Sequence, residues 1–153
     1  MREECRGCRI WWTKKGRKEE YNAFRSIRSA IIDGIPLVLS SGNASTSYYF
    51  WLDVTCDAHC HVVALKLTGL HHSGTLSVDV AHLPFLSNLS LADNKFSDPI
   101  PPPLSSLSAL RFLNLSNNGF NQTFPPELSR VQRLEVLDLY NNNMTNPLPM
   151  AVA

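Results

Sequence analysis

LRFLNLSNN, residues 110–118, is the stretch that decides the fold, because it returns along the chain at a fixed interval. Residues 86–94 read LSNLSLADN, residues 134–142 read LEVLDLYNN, and residues 62–70 read VVALKLTGL. The leucine pairs start at positions 65, 89, 113 and 137, so each step is 24 residues. A constant step of this size is typical of a stacked architecture, in which each unit buries its apolar side against the next.

Other columns keep the same interval. Asparagine stands five residues after the first leucine in three units, and a large apolar residue stands two residues further on (Asn94, Asn118, Asn142; Phe96, Phe120, Met144). Paired-helix repeats need about 33–47 residues, and a proline in the unit opposes two helices. The pattern L-x-x-L-x-L-x-x-N-x-L is that of a leucine-rich repeat. We therefore predict an α/β solenoid of stacked coils, with one parallel β-sheet on its concave face.

The asparagine column has a predicted structural role. Asn94, Asn118 and Asn142 stand where the chain turns off each strand. Their amides are expected to satisfy backbone groups that the turn leaves unpaired, which forms a ladder inside the bend. The first unit departs from the pattern, with Leu70 in the asparagine column and His72 in the aromatic one. End repeats are commonly atypical where a stack meets its cap.

Composition favours an ordinary globular chain. The 153 residues include 44% hydrophobic and 18% charged residues, with a net charge of +1. Residues 1–18 carry seven basic and two acidic side chains, a net of +5, so a basic arm precedes a mildly acidic body. We find no run of about 18 apolar residues that would predict a membrane span. Ile10-Trp11-Trp12 is far shorter than the roughly 7–15 apolar residues of a secretory leader, so no signal peptide is predicted.

The segment ahead of the repeats is predicted to cap the stack. Residues 20–33 form a predicted helix whose apolar side chains recur at spacings of three and four: Tyr21, Phe24, Ile27, Ala30 and Ile31. Residues 50–54, FWLDV, predict a short aromatic strand. A helix and a strand in this place would cover the first coil and pair its strand edge.

These observations divide the chain into three parts. Residues 1–19 are expected to be a basic disordered arm, and residues 20–58 an N-terminal cap. Residues 59–153 hold four repeats, with predicted bounds 59–82, 83–106, 107–130 and 131–153.

Several blocks carry a resemblance to a known family: VTCD (54–57), HVVAL (61–65), SGTL (73–76), RFLNLSNN (111–118) and LEVLDLYNNNMT (134–145). From Glu20 onward the chain resembles the ectodomains of plant leucine-rich-repeat receptor-like kinases, and most of all their Clavata and barely-any-meristem branch. The resemblance implies a receptor that senses secreted peptides on a concave face and signals through a membrane span to a cytoplasmic serine/threonine kinase. It also implies a location outside the cell or at the plasma membrane.

The chain departs from this family at several positions, and Gly42 stands where the family has a tryptophan. Tyr49 stands where the family has a cysteine that bridges the residue matching Cys56. Cys60 is an alternative partner for Cys56 if the turn between them brings their α-carbons within about 7 Å. The glycine kept at position 74 becomes Asp98, Gln122 and Asn146 in the later repeats.

The predicted binding surface consists of strand residues that point away from the core, because side chains alternate along a strand. We call them the sheet-face residues: Lys66, Thr68, Ser90, Ala92, Phe112, Asn114, Asp138 and Tyr140. Phe112 and Tyr140 are the strongest candidates, because exposed aromatic residues commonly anchor interfaces. Most of the eight sheet-face residues are also explained as ordinary solvated residues of a sheet. Four strands span about 14 Å, which matches roughly four residues of an extended peptide. The expected partners are a peptide or protein ligand and a co-receptor.

Five triplets match the acceptor pattern for N-glycosylation. They begin at Asn43, Asn88, Asn114, Asn121 and Asn143. Repeats rich in asparagine, serine and leucine also produce such triplets by chance, so either origin is open for each site.

Other constellations argue for a binding protein without chemistry of its own. Cys5-x-x-Cys8 is half of a zinc pattern and lacks a second pair. Five histidines lie near Cys56 and Cys60 and suggest a metal site, but the loops of the first repeat explain them equally well. The basic residues at 14–18 fit a solvated arm better than a nucleic-acid or anionic-lipid site. We predict no catalytic residue, no metal, no cofactor and no nucleic-acid partner.

The leading interpretation is a truncated receptor-like binding module that is not an enzyme. A secreted leucine-rich-repeat inhibitor or defence protein is a second interpretation, and a non-functional fragment or incomplete gene model of a receptor kinase is a third. An uncapped last coil would expose apolar surface and a strand edge, so self-association is also predicted.

Overall fold

The structure is a computed structural model that describes residues 18–32 and 54–145. A single α-helix in these ranges, α1, spans Lys18–Ala30. The strands of the described residues are β1 (Ile31–Ile32), β2 (Val54–Cys56), β3 (Val62–Lys66), β4 (Ser73–Thr75), β5 (Asn88–Ser90), β6 (Lys95–Ser97), β7 (Phe112–Asn114), β8 (Asn121–Gln122), β9 (Val136–Asp138) and β10 (Asn143–Met144). Three 3-10 helices span Val78–His82, Pro102–Ser106 and Pro126–Arg130.

The large sheet has the strand order β2-β3-β5-β7-β9. Its last four strands are parallel, and Leu65, Leu89, Leu113 and Leu137 lie opposite one another in register. β2 pairs with β3 in the antiparallel direction at the first edge. The stack of coils that the 24-residue interval predicts is therefore confirmed for the described repeats.

Short strands and 3-10 helices form the remaining sides of each coil. β4 and β6 pair in parallel, as do β8 and β10. The second and third 3-10 helices begin at Pro102 and Pro126, because the first helical position needs no backbone N–H partner and the proline ring already holds φ near the helical value. Pro101 and Pro125 before them are extended. The first 3-10 helix follows Ser77, whose hydroxyl accepts a hydrogen bond from the Asp79 backbone N–H at 3.2 Å.

The core is a column of leucines and two phenylalanines between these sides. Phe96 and Phe120 are fully buried, and their stacked rings lie 6.2 Å apart between centroids. The leucines of the second and third coils are buried to within 1% of full burial: Leu83, Leu86, Leu89, Leu91, Leu104, Leu107, Leu110, Leu113 and Leu115. Burial of one such side chain stabilises the fold by about 1.5–3 kcal/mol, so stacking supplies most of the apolar stabilisation.

The predicted helix at 20–33 is wrong at both ends. Helix α1 begins at Lys18 and ends at Ala30, and Ile31–Ile32 continue as β1, which pairs antiparallel with β4. Two adjacent β-branched residues favour extended backbone, and the edge of β4 supplies their backbone partners. The strand predicted at 50–54 begins outside the described residues, and β2 covers Val54–Cys56.

Helix α1 packs on the first coil. Ala23 and Ile27 belong to the buried core. The Ser26 hydroxyl donates to the Asp79 carboxylate at the start of the first 3-10 helix. Glu20, only 6% exposed, holds one carboxylate oxygen 3.4 Å from Nδ1 of His61.

The predicted asparagine ladder is confirmed, and each amide joins two coils. Nδ2 of Asn118 donates to the carbonyl oxygens of Leu115 and Ser116 in its own coil, at 3.2 and 3.0 Å, and to that of Leu91 in the preceding coil at 2.9 Å. Its Oδ1 accepts from the Phe96 N–H at 3.0 Å. Asn94 and Asn142 repeat the arrangement, and Asn94 bonds the backbone N–H groups of Leu70 and His72 in the atypical first coil. One asparagine per coil thus satisfies backbone groups on both sides of a coil boundary.

Asn118→Ala should lower the free energy of unfolding by about 2–3 kcal/mol, because it leaves several backbone groups without partners inside the bend. Gln132→Ala is the matched control, since it truncates an exposed amide side chain that makes no hydrogen bond with a described residue. We expect the control to cost well under half as much. Urea denaturation followed by circular dichroism gives both values. Equal losses in the two variants would contradict the ladder's role.

Non-glycine residues adopt left-handed backbone at the column where the first repeat has glycine. Gly74 has φ of 99°, Asp98 has 67° and Gln122 has 61°. Aspartate tolerates this region better than most residues, whereas a glutamine there costs about 1–2 kcal/mol. The replacement of glycine by aspartate and glutamine therefore leaves the turn in place and destabilises it locally.

Gln122→Gly should raise the free energy of unfolding by about 1 kcal/mol, because glycine adopts positive φ without a Cβ clash. Gln132→Gly is the control, since φ is negative at Gln132 and added backbone freedom should lower stability there. Chemical denaturation of both variants tests this. A Gln122→Gly variant as unstable as the control would mean that the turn is not strained.

Candidate binding surface

The outer face of the large sheet carries three columns of side chains, because alternate strand residues point away from the core. The register gives the first column as Ala64, Asn88, Phe112 and Val136, and the second as Lys66, Ser90, Asn114 and Asp138. One step beyond the strands, the third is Thr68, Ala92, Ser116 and Tyr140. The coils therefore align these positions into one surface.

The sheet-face residues fall in all three columns, and one strong member was missed. Phe112 belongs to the first column, where Val136 is its neighbour in the next coil. Val136 is 46% exposed, a large value for an apolar side chain. Once the leucines fix the register, the sequence already places Val136 beside Phe112 on the outer face. The residues equivalent to Phe112 in the other coils were therefore predictable from the sequence.

Exposure separates the sheet-face residues. Tyr140 is 76% exposed, and Lys66 and Thr68 are also exposed. Ser90, Phe112, Asn114 and Asp138 are half-buried. Ala92 lies in the third outward column but is only 4% exposed, so it offers little contact area to a ligand. A single methyl group does not rise above the larger neighbours of its column.

Short hydrogen bonds fix the polar members of the surface. The hydroxyls of Thr68 and Ser90 lie 2.9 Å apart on adjacent coils. Oδ1 of Asn114 accepts from the backbone N–H of Ser116 at 3.0 Å and from its hydroxyl at 2.7 Å. Oδ1 of Asp138 accepts from the Tyr140 N–H at 3.0 Å. These side chains are held in place before any ligand arrives, which lowers the entropic cost of binding.

An ion pair borders the aromatic part of the surface. Nε and Nη2 of Arg111 donate to one carboxylate oxygen of Glu135 at 2.7 and 2.6 Å. The same guanidinium lies 5.6 Å from the ring centroid of Phe112, a cation–π distance. Arg111 thereby covers part of the Phe112 ring, which explains why that ring is half-buried.

Charge is distributed unevenly along the second column. Lys66 stands on its first parallel strand and Asp138 on its fourth. Three strand spacings separate them by about 14 Å. Ser90 and Asn114 lie between them and offer polar groups without net charge. The surface is thus cationic at one end, and acidic and aromatic at the other, where Tyr140 stands.

A second amide ladder, which the sequence reasoning did not find, follows the edge of this surface. Nδ2 of Asn117 donates to the Asp93 carboxylate at 2.7 Å, and Nδ2 of Asn141 donates to Oδ1 of Asn117 at 3.0 Å. All three residues have positive φ, between 52° and 57°. Asparagine and aspartate tolerate this region, so their recurrence one residue before the inner ladder was the available signal.

The hairpin that joins β2 to β3 contains the two central cysteines. Cys56 and Cys60 are both disulfide-bonded. A bridge between the two stays a prediction. Burial alone would raise the pKa of Asp57, but its carboxylate accepts backbone N–H bonds from His61 and His59, so the pKa lies below its usual value. Among the described residues, no group of three histidine, cysteine or acidic side chains is placed to hold a metal ion.

The glycosylation candidates lie on different faces. Asn88 and Asn114 are on the sheet face, where a glycan would compete with a ligand. Asn121 and Asn143 pair with each other on the short strands β8 and β10. Asn43 lies outside the described residues.

Comparison with known proteins finds the same repeat in part of the chain. The model of the Leucine Rich Repeat family matches residues 85–107, 109–131 and 133–153. The chain is 37% identical over 75 residues to the LRR receptor-like serine/threonine-protein kinase EFR of Arabidopsis thaliana, which is 48% of this chain and 7% of that protein. The chain therefore spans less than a tenth of that relative's length.

Solved structures agree in fold. The PEPR1–AtPEP1 crystal structure aligns with a TM-score of 0.78 at 35% identity, over 86% of this chain and 19% of that one. The Arabidopsis receptor kinase HAESA, solved with the peptide hormone IDA and the co-receptor SERK1, aligns with a TM-score of 0.61 at 25% identity, over 88% of this chain and 27% of that one. Within the described ranges, no helix has the length and apolar character needed to cross a membrane.

Proposed function

We propose that this chain, a leucine-rich-repeat protein similar to the ectodomains of plant receptor-like kinases, is a ligand-binding module whose ligand is an extended peptide. The observation that carries the proposal is the alignment of three outward columns on four parallel strands in register. HAESA was solved with the peptide hormone IDA, which supports the same class of ligand here. The chain itself performs no catalysis in this proposal.

The ligand chemistry follows from the two ends of the surface. Lys66 favours a carboxylate on the peptide, whereas Asp138 favours a basic group about 14 Å away. Tyr140 and Val136 offer an aromatic and an apolar contact beside Asp138. The described strands accommodate about four residues of an extended peptide. A longer peptide hormone needs more coils, so in this proposal the chain supplies one part of a larger site.

The remaining finer assignments are proposals of the same kind. Helix α1 and β2 act as the N-terminal cap, since they cover the first coil and pair the edge of β3. The chain works outside the plasma membrane, as ectodomains of receptor kinases do, and a co-receptor is a further partner. Membership of the Clavata and barely-any-meristem branch rests on the sequence blocks alone and stays a prediction.

Tyr140→Ala should weaken peptide binding by about tenfold or more, because exposed tyrosines commonly dominate an interface. Peptides selected from a random display library on the immobilised full chain serve as probes, with affinities measured by fluorescence anisotropy. Val78→Ala is the matched control, since Val78 is 55% exposed on the first 3-10 helix and away from the sheet. Peptides that lose affinity for the control and keep it for Tyr140→Ala would contradict the proposal.

Self-association through the last described coil is part of the proposal. Leu134, Leu137 and Leu139 are only partly buried, whereas Leu110, Leu113 and Leu115 in the same columns are fully buried. The strand β9 stands at the edge of the large sheet. A second copy is a suitable cover for such a surface, since apolar area and an unpaired strand edge favour association.

The full chain should sediment as a dimer or larger species at tens of micromolar, and Leu139→Lys should shift it towards monomer. Leu139 is chosen because it lies in the last described coil and is only partly buried, so a charge there opposes association while the inner coils keep their packing. Arg111→Lys, a surface change on the third coil, is the control. Clean monomer at that concentration for the unmodified chain would contradict self-association.

A further inference from the structure

A groove crosses the edge of the stack where the chain turns from each 3-10 helix back into the large sheet. It has a volume of about 490 Å³ and is separate from the sheet face. Pro84 and Phe85 of the second coil line one side, and Arg133 of the fourth coil lines the other, with Arg130 beside it. Phe85 and Arg133 occupy equivalent positions of the second and fourth coils, so the spacing of the two walls is set by the fold.

The groove exists because the middle coil has small residues where its neighbours have large ones. One column of the repeat reads Phe85, Ala109 and Arg133, and the groove touches all three. Ser108 lies next to Ala109 in the floor. Two coil spacings separate the walls by about 10 Å between backbones, which is the width that an extended chain with its side chains requires.

The two walls differ in chemistry. Phe85 is 43% exposed, and its ring lies 3.6 Å from the His61 ring between centroids, which holds it in place. Arg130 and Arg133 are exposed, and neither forms an ion pair with any residue in the described ranges. Two acidic residues lie close by in sequence: Glu135 is bound to Arg111, and Glu127 stands in the first turn of the 3-10 helix that ends at Arg130. One wall is therefore apolar, and the other carries two guanidinium groups that form no ion pair with a described residue.

We propose that this edge groove binds an acidic, extended peptide segment of a partner protein, with carboxylates on Arg130 and Arg133 and an apolar side chain against Phe85. Guanidinium groups bind carboxylates through paired hydrogen bonds, which suits a peptide better than a diffuse charged surface. The groove is a second site, on a different face from the proposed ligand surface. It leaves the sheet-face residues free, so both partners can bind at once.

The probe is a short fluorescein-labelled peptide of alternating glutamate and leucine, titrated with the full chain and followed by anisotropy. The matched peptide with lysine in place of glutamate should bind at least about tenfold more weakly. R130Q/R133Q removes the charge of the wall, and Ala109→Leu fills the floor without changing charge. Each should weaken binding of the acidic peptide by about tenfold or more. Tyr140→Ala, on the sheet face, should leave binding of this peptide unchanged.

Further variants separate the groove from other basic surfaces. K14Q/K15Q neutralises two residues of the basic arm and should leave binding unchanged. Loss of binding in that variant with retention in R130Q/R133Q would overturn the proposal, as would equal binding of the glutamate and lysine peptides. Sedimentation with phosphatidylserine vesicles tests whether the same two arginines bind a membrane surface instead. Vesicle binding that depends on Arg130 and Arg133 without peptide binding would assign the edge to membranes and overturn the peptide proposal. Thermal unfolding of each variant checks that the fold is kept.

Discussion

The inner asparagine ladder is the constraint on which this structure depends. Each coil turns sharply as it leaves the large sheet, and the turn points backbone groups towards the interior, where water does not reach them. An unpaired buried backbone group costs about 1–3 kcal/mol, so every coil would be destabilised at this corner without a partner. Asn118 resolves the problem for two coils together, because its amide bonds carbonyls on both sides of the boundary. Leucine packing supplies the apolar stabilisation, and the amide fixes how far one coil is displaced from the next.

That displacement produces the two surfaces that we propose as binding sites. Equivalent residues lie opposite one another on neighbouring coils. A charge or a side-chain size that changes from coil to coil therefore changes along the surface. The second column changes from Lys66 to Asp138 across four strands, and this gives the sheet face its two ends. The column of Phe85, Ala109 and Arg133 changes in size instead, and this opens the edge groove. The two surfaces arise from the same regularity on two sides of the stack.

The sequence alone determined most of the fold, because the signal is a repeated interval rather than a local preference. The strand register, the buried leucines and the amide ladder all follow from the 24-residue step. Helix α1 was misjudged because no repeat constrains its ends, and Ile31 and Ile32 fit either helix or strand. Pairing with β4, a contact distant in sequence, decided the outcome.

Details of the surface were less accessible. The exposure of Ala92 depends on the heights of its neighbours, which a pattern of outward positions does not contain. The outward position of Val136 is predictable from the sequence, because it follows from the 24-residue interval. The groove is not, because it depends on the spacing of three coils together with the sizes of their side chains. The ion pairs were also not predictable from the sequence. Only the structure shows that Arg111 pairs with Glu135, and that Arg130 and Arg133 form no ion pair with a described residue.

The alignment of the coils is the claim that everything else requires, and hydrogen-bond scalar couplings measured by nuclear magnetic resonance test it most directly. The account predicts couplings from the amide of Leu91 to the carbonyl of Asn114 and from the amide of Leu115 to the carbonyl of Asp138, which are joined at 2.9 Å. Couplings to carbonyls shifted by one or more residues, or pairing of β5 with β7 in the antiparallel sense, would contradict it.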